Sequence, residues 1–123
     1  MEKKIVCVSG GFDPIHVGHV RLIQEAAALG TELVVIINND YWLMKKKGYV
    51  FMPQDQRREI IESIKGVTRV VFTSHEPDDE DRSVCRELRT IRPHVFVNGG
   101  DRKPDGDPIP EVLVCDELGI ELV

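Results

Sequence analysis

Five short apolar runs, separated by segments with helical spacing, constrain this chain more than anything else in it. Ile5–Val8, Glu32–Asn38, Arg69–Thr73, His94–Asn98 and Ile120–Val123 read as strands. Val17–Leu29, Pro53 through Lys65, Ser83–Ile91 and Glu111–Leu118 read as helices, the first two stopped by Gly30 and Gly66. Leu33–Ile37 is continuously apolar, as in a strand covered on both faces. Right-handed crossovers put a helix between successive parallel strands. The alternation therefore predicts an α/β fold: a Rossmann-like, doubly wound parallel sheet of about five strands in three α/β/α layers. A length of 123 residues suits one domain, 1–123.

Such sheets bind ligands at the carboxyl ends of their strands. Three unusual segments fall there: Ser9–His19 after the first strand, Asn38–Gly48 after the second, and Asn98–Asp107 after the fourth. The second ends in a basic stretch, Lys45-Lys46-Lys47-Gly48, read as a loop. A formal net charge of −5 argues against a broad nucleic-acid surface, and no segment approaches the length of a membrane span. Cys7, Cys85 and Cys115 are odd in number and far apart, which points to a reducing, cytoplasmic setting with the thiols serving as small core residues.

The first segment, "GGFDPIHVGH" (Gly10 to His19), carries the strongest chemistry. Gly10 and Gly11 lie between a strand and a helix, where glycine lets the backbone take positive φ and approach a ligand closely. The helix start behind them offers free N–H groups and partial positive charge, a seat for phosphate. His16 and His19, three residues apart, share one face of the first turn, shielded only by Gly18. Paired imidazoles there can donate to phosphate oxygens whose charge grows during reaction. Zinc ligation is the rival reading, and His75, His94 and the cysteines are not arranged to complete a site.

These residues closely resemble the HxGH signature of the nucleotidyltransferase superfamily, which includes cytidylyltransferases and the heptose-phosphate, nicotinate-mononucleotide and pantetheine-phosphate adenylyltransferases. "KGYVFMPQDQR" (Lys47 to Arg57) is similar to the lysine-glycine loop and helix-opening arginine of cholinephosphate-type cytidylyltransferases. "VFVNGGDRKP" (Val95 to Pro104) is similar to the fourth-strand loop of heptose-phosphate adenylyltransferases. The resemblance implies transfer of a nucleoside monophosphate from CTP or ATP to a phosphorylated sugar, polyol or amino-alcohol, with release of pyrophosphate. The first of these two segments slightly favours CTP, the second ATP.

A phosphomonoester, with a second pKa of about 6, is already mostly dianionic at neutral pH and needs no general base. The task is to hold two polyanions together, and positioning can supply about 7–11 kcal/mol of the barrier. The resemblance implies catalytic roles for His16, His19 and Lys47. It implies nucleotide contacts from Gly10, Gly11, Phe12, Asp13, Gly18, Lys46, Gly99, Gly100 and Asp101. Asp40, Lys46 and Arg57 fall at the acceptor. For Arg57 two readings stand, phosphate clamp or tie between helix and loop; for Asp40 and Asp101, ligand contact or turn cap. Asp13 reads more as a loop organiser than a catalyst. Mg²⁺ is expected to arrive on the triphosphate with no direct protein ligand, and a homodimer is implied.

The pattern departs from the family in three places. Gly11 stands where many relatives carry threonine, and Lys65-Gly66-Val67-Thr68 stands where polyol-phosphate enzymes carry Arg-Tyr-Val-Asp. The Ser/Thr-rich motif opening the helix that closes over the triphosphate is absent before Val123. These departures keep a non-catalytic nucleotide-binding module as a further alternative.

Overall fold

β1 (Ile5–Gly10) pairs in parallel with β2 (Glu32–Ile37) along its whole length, from Ile5 opposite Glu32 to Gly10 opposite Ile37. The computed structural model describes residues 3–77, 83–97 and 110–123. β3 (Arg69–Phe72) adds outside β2, and β4 (Val95–Val97) and β5 (Glu121–Leu122) add on the other side of β1. Every pairing is parallel, and the strand order is β3-β2-β1-β4-β5. The order reverses between β1 and β4, the switch point at which such sheets open a crevice.

The period of two along each strand builds two cores. On one face Val6, Val8, Leu33, Val35, Ile37, Val95 and Val97 pack with Ile23 and Ala26 of α1 (Val17–Ala27) and Ile61 of α3 (Gln54–Glu62). On the other, Cys7, Val34, Ile36 and Phe96 pack with Leu88 of α4 (Cys85–Ile91) and Val114 and Cys115 of α5 (Pro110–Leu118). The sheet is thus covered on both sides, as the three-layer reading expects. Cys7 and Cys115 are buried within the second core, and Cys7, Cys85 and Cys115 are in no disulfide. Among the described residues no helix is long and apolar enough to cross a membrane.

The largest departure from the sequence reading is α2 (Asp40–Lys47), which occupies the stretch read as a basic loop. Apolar periodicity cannot reveal it, because Leu43 is its one buried residue. Its ends carry the signal instead. Asn39 is the N-cap, its Oδ1 accepting the Trp42 N–H at 3.0 Å. Asp40 lies in the first turn and three lysines in the last, both matching the helix dipole, and Gly48 closes it at φ 81°.

Other boundaries shift for identifiable reasons. α1 stops at Ala27 with Ala28 as its cap, so Gly30 is not the terminator. A Cβ on Gly30 would stand 2.6 Å from the Lys4 carbonyl oxygen, so its bareness serves the approach of the chain to β1. Pro53 is the N-cap of α3 rather than its first residue, and α3 ends at Glu62, short of Gly66. α4 begins at Cys85, two residues after Ser83.

Candidate active site

The turn leaving β1 is shaped by Phe12, not by the glycines. Gly10 is still within β1, and neither Gly10 nor Gly11 takes positive φ; Phe12 does, at 52°. This corrects the conformational argument for the glycines and replaces it with one of space. A Cβ on Gly10 would lie 3.1 Å from the Phe12 ring, and one on Gly11 would lie 3.2 Å from Leu43 Cδ2. Phe12 is buried, and its ring meets His19 edge-on at 5.1 Å between centroids.

His16 and His19 begin α1 as a reciprocal cap. His16 is the N-cap, its Nδ1 accepting the Gly18 N–H at 3.1 Å, while His19 Nδ1 accepts the His16 N–H at 3.1 Å. Both Nδ1 atoms are therefore acceptors, and in a neutral imidazole the proton then sits on Nε2. The rings stack at 3.8 Å. A Cβ on Gly18 would stand 2.9 Å from His16 Cε1, which is why glycine separates the pair. The motif thus does two jobs: the Nδ1 atoms hold the helix start and the rings present Nε2–H donors.

Both histidines face a cleft of about 290 Å³ that also reaches Trp42, Lys46 and Lys47 of α2. A larger hollow of about 530 Å³ lies at the amino ends of β1, β2 and β3, beside Lys3, Glu32 and Arg69. The smaller cleft is the better candidate, because it sits at the carboxyl ends and gathers cations with paired imidazoles.

Lys47 is positioned by Asp13. Its Nζ donates to the Asp13 carbonyl oxygen at 2.8 Å and to Oδ2 at 3.1 Å. The same carboxylate accepts the N–H groups of Phe51, at 2.8 Å, and Met52. With both oxygens engaged and the side chain shielded from solvent, Asp13 organises the loop. Desolvation pushes its carboxyl up, but the Phe51 and Met52 N–H groups and the Lys47 ammonium together outweigh that and hold it below its ordinary value of 3.8. A lowered folded pKa contributes stability above the unfolded value of about 3.9, and that contribution is lost as pH falls through the folded value. The stability gap between wild type and Asp13→Asn, measured by urea unfolding from pH 7 to pH 3, is expected to shrink below about pH 4. A constant gap would contradict the assignment.

Arg57 is wholly buried. Its Nε donates to the Met52 carbonyl at 3.0 Å, Nη1 to the Gly11 and Asn38 carbonyls at 2.7 and 2.6 Å, and Nη2 to Asp40 Oδ1 at 2.6 Å. Of its two readings, this geometry is the tie. Asp40 opens α2 rather than ending β2, and besides Arg57 it bonds Gln54 reciprocally: its N–H donates to Gln54 Oε1 at 2.9 Å. Gly99, Gly100 and Asp101 lie outside the described residues.

Sequence reasoning does not single out Trp42 or Asn39. Trp42 joins the cleft only because 40–47 is a helix, which sets it on one face with Lys46 four residues on. Asn39 Nδ2 donates to the carbonyls of Thr73 and His75 at 3.0 and 2.7 Å, locking the start of α2 to the end of β3. His75 is buried, with Nδ1 2.8 Å from Thr73 Oγ1. Burial pushes the Cys7 thiol up to about 12, with Arg69 opposing and Cys115 adding, so this thiol is no nucleophile at neutral pH. Among the described residues no three His, Cys, Asp or Glu side chains gather to hold a metal.

Known proteins are similar to this chain in sequence and in fold. A cytidylyltransferase-like family model matches residues 7–112. An FAD synthase of Aciduliprofundum boonei is 36% identical over 117 residues, spanning 95% of this chain and 73% of that protein. An FAD synthase of Archaeoglobus fulgidus is 36% identical over 94% of the chain and 79% of that protein. A bifunctional protein HldE of Aliarcobacter butzleri is 36% identical over 96% of the chain, which spans 24% of that protein. The fold matches the crystal structure of a lipopolysaccharide core biosynthesis protein from Thermoplasma volcanium, with a TM-score of 0.77 at 21% identity over 99% of this chain and 95% of that one. With the paired histidines at the head of α1 and the family match running through both cores, the chain belongs to the cytidylyltransferase-like family of nucleotidyltransferases.

Proposed function

We propose that the chain transfers an adenylyl group from ATP to a phosphomonoester. The observation that carries this is the stacked imidazole pair, each Nδ1 pinned by a backbone N–H, facing a cleft that also holds Lys46 and Lys47. An oxygen of the acceptor phosphate attacks the α-phosphorus of ATP. The new P–O bond forms as the bond to the bridging α–β oxygen breaks, and pyrophosphate leaves with that electron pair. No proton need be removed from a dianionic acceptor.

His16 and His19 donate from Nε2 to triphosphate oxygens, and the N-terminus of α1 adds its partial charge. Lys47, held by Asp13, neutralises charge at the α-phosphate, and Lys46 serves the acceptor phosphate. Mg²⁺ enters as part of the substrate, on the phosphate oxygens. The Asp13 and Asp40 carboxylates are already bonded to protein donors, which fits that arrangement.

ATP is preferred over CTP on the relatives' names. FAD is a flavin mononucleotide joined to an adenylyl group, so a synthase of FAD performs adenylyl transfer to a phosphomonoester. That support moves the reading from the CTP slightly favoured by "KGYVFMPQDQR" to ATP.

Thermal-shift titration with each nucleotide and Mg²⁺, paired with pyrophosphate release across a panel of phosphomonoesters, tests this. ATP is expected to raise the melting temperature as RT ln(1 + [L]/Kd) rises, and to yield pyrophosphate with at least one acceptor. Pyrophosphate from CTP alone would overturn the nucleotide. Binding without pyrophosphate from either would leave a nucleotide-binding module.

A further inference from the structure

A single buried side-chain oxygen, Oδ1 of Asn38, meets no hydrogen-bond donor among the described residues. Asn38 is 6% exposed and directly follows β2. Its backbone is engaged on both sides. The N–H donates to the Gly10 carbonyl at 2.9 Å, and the carbonyl accepts Arg57 Nη1 at 2.6 Å. The main chain is thus fixed while the amide oxygen is left over.

Its neighbours show that this is an exception. Asn39 uses both ends of its amide, Nδ2 on the carbonyls of Thr73 and His75 and Oδ1 on the Trp42 N–H. Thr73 Oγ1 accepts the Asn39 N–H at 3.0 Å and lies 2.8 Å from His75 Nδ1. His75 Nε2 lies 3.0 Å from the Ser83 carbonyl oxygen. Asn39, Thr73 and His75 are buried like Asn38 and are satisfied. A buried acceptor without a donor is destabilising, and native folds keep one where something else explains it, a functional site above all.

The place of the orphan suggests what completes it. Arg57 Nη1 holds the carbonyls of Gly11 and Asn38 together, so the two residues stand side by side, and Gly11 lines the cleft of His16 and His19. Ile37 faces the α1 core and Ile36 the α4–α5 core. The period of two therefore turns the Asn38 side chain to the α4–α5 face, across the strand ends from the histidines. Nucleotides in doubly wound sheets cross the switch point, here between β1 and β4. Asn38 lies on the other side of β1, two residues before Asp40 opens α2, the helix that carries Lys46.

Ionised phosphate oxygens only accept, so the partner that a bare amide oxygen lacks is an O–H or N–H. We propose that Asn38 is a specificity-determining residue, its Oδ1 accepting a hydrogen bond from a hydroxyl or N–H on the body of the acceptor whose phosphate Lys46 serves. The chain then selects phosphomonoesters that carry such a donor. Those without one leave the amide buried and unpaired, and are rejected for that reason. This rests on the transfer reading above and adds a requirement to it.

Pyrophosphate release with ATP is measured for two sets of probes. Glycerol 3-phosphate, ribose 5-phosphate and flavin mononucleotide carry hydroxyls; propyl phosphate and phenyl phosphate carry no donor outside the phosphate. The wild type is expected to use at least one hydroxyl-bearing probe with a kcat/KM about tenfold or more above both donor-free ones. Asn38→Leu, similar in shape, and Asn38→Ala are each expected to reduce that preference to about threefold or less, with the KM for ATP within about twofold of the wild type. Because the substitution removes an unpaired group, ligand-free Asn38→Leu is expected to melt at or above the wild-type temperature.

A wild type that uses the donor-free probes equally well overturns the proposal and leaves the transfer reading standing. So does a preference that both variants retain. A rise in the KM for ATP with the acceptor preference intact also overturns it, giving the amide to the nucleotide. Melting more than about 5 °C below the wild type in both variants makes Asn38 a structural residue and overturns it as well. Pyrophosphate from none of the probes removes the transfer reading, and the proposal with it.

Discussion

A chain carrying His16→Ser together with His19→Gln is expected to fold as the wild type does and to turn over about a hundredfold to a thousandfold more slowly. The reason lies in the double use of the two rings. Their Nδ1 atoms cap α1, and serine at the N-cap with glutamine three residues on restores a reciprocal cap by other means. The substitution removes the Nε2–H donors that the proposed transfer directs at the triphosphate, and losing one such preorganised donor costs about 10²–10³ in rate. Alanine at both positions should show the same rate loss and also a lower melting temperature, because a missing N-cap costs about 1 kcal/mol. Pyrophosphate release at saturating ATP, read beside thermal unfolding, separates the two roles. A Ser/Gln double variant running at the wild-type rate would reduce the pair to caps.

That double use explains what the sequence could and could not reveal. Strand positions were legible because β2 is apolar at every central position, a pattern that survives only when both faces are covered. The paired histidines were legible because their spacing coincides with the head of a helix. The nitrogen that caps was not, since a spacing of three residues is silent on which ring atom faces the backbone. α2 was missed because one buried leucine carries no periodicity, although Asn39, Asp40, the three lysines and Gly48 together mark a helix by its ends.

Gly10 and Gly11 were read as free to take positive φ, and what the fold uses is their lack of a Cβ. Gly18 makes room for the His16 ring and Gly10 for the Phe12 ring, while the left-handed residue is the aromatic between them. Partners 34 and 39 residues apart, Asp13 with Lys47 and with Met52, leave no trace in a single sequence. Only the fold shows which charges are already bonded to protein, as Arg57 and Asp13 are.

Arg57→Met is expected to lower stability by about 3–5 kcal/mol, a large share of the roughly 5–15 kcal/mol that holds a domain of this size. Methionine fills much of the same volume, so the loss measures polar groups rather than a cavity. Three carbonyls lose their donor, that of Asn38 in a buried bond and those of Gly11 and Met52 in part-buried ones, and a buried orphan costs about 1–3 kcal/mol before relaxation. Asp40, whose side chain is 37% exposed, regains water and adds less. Arg57→Lys is expected to recover part of the loss, since one ammonium cannot span acceptors on both sides of a planar fork. The four acceptors belong to the turn after β1, the end of β2, the start of α2 and the loop before α3, so this guanidinium sets the spacing between the histidine turn and the lysine helix. Urea unfolding of both variants, with the KM for ATP measured where each remains folded, tests that spacing role. A loss under about 1 kcal/mol for methionine, with kinetics unchanged, would mean the four segments hold their places without it.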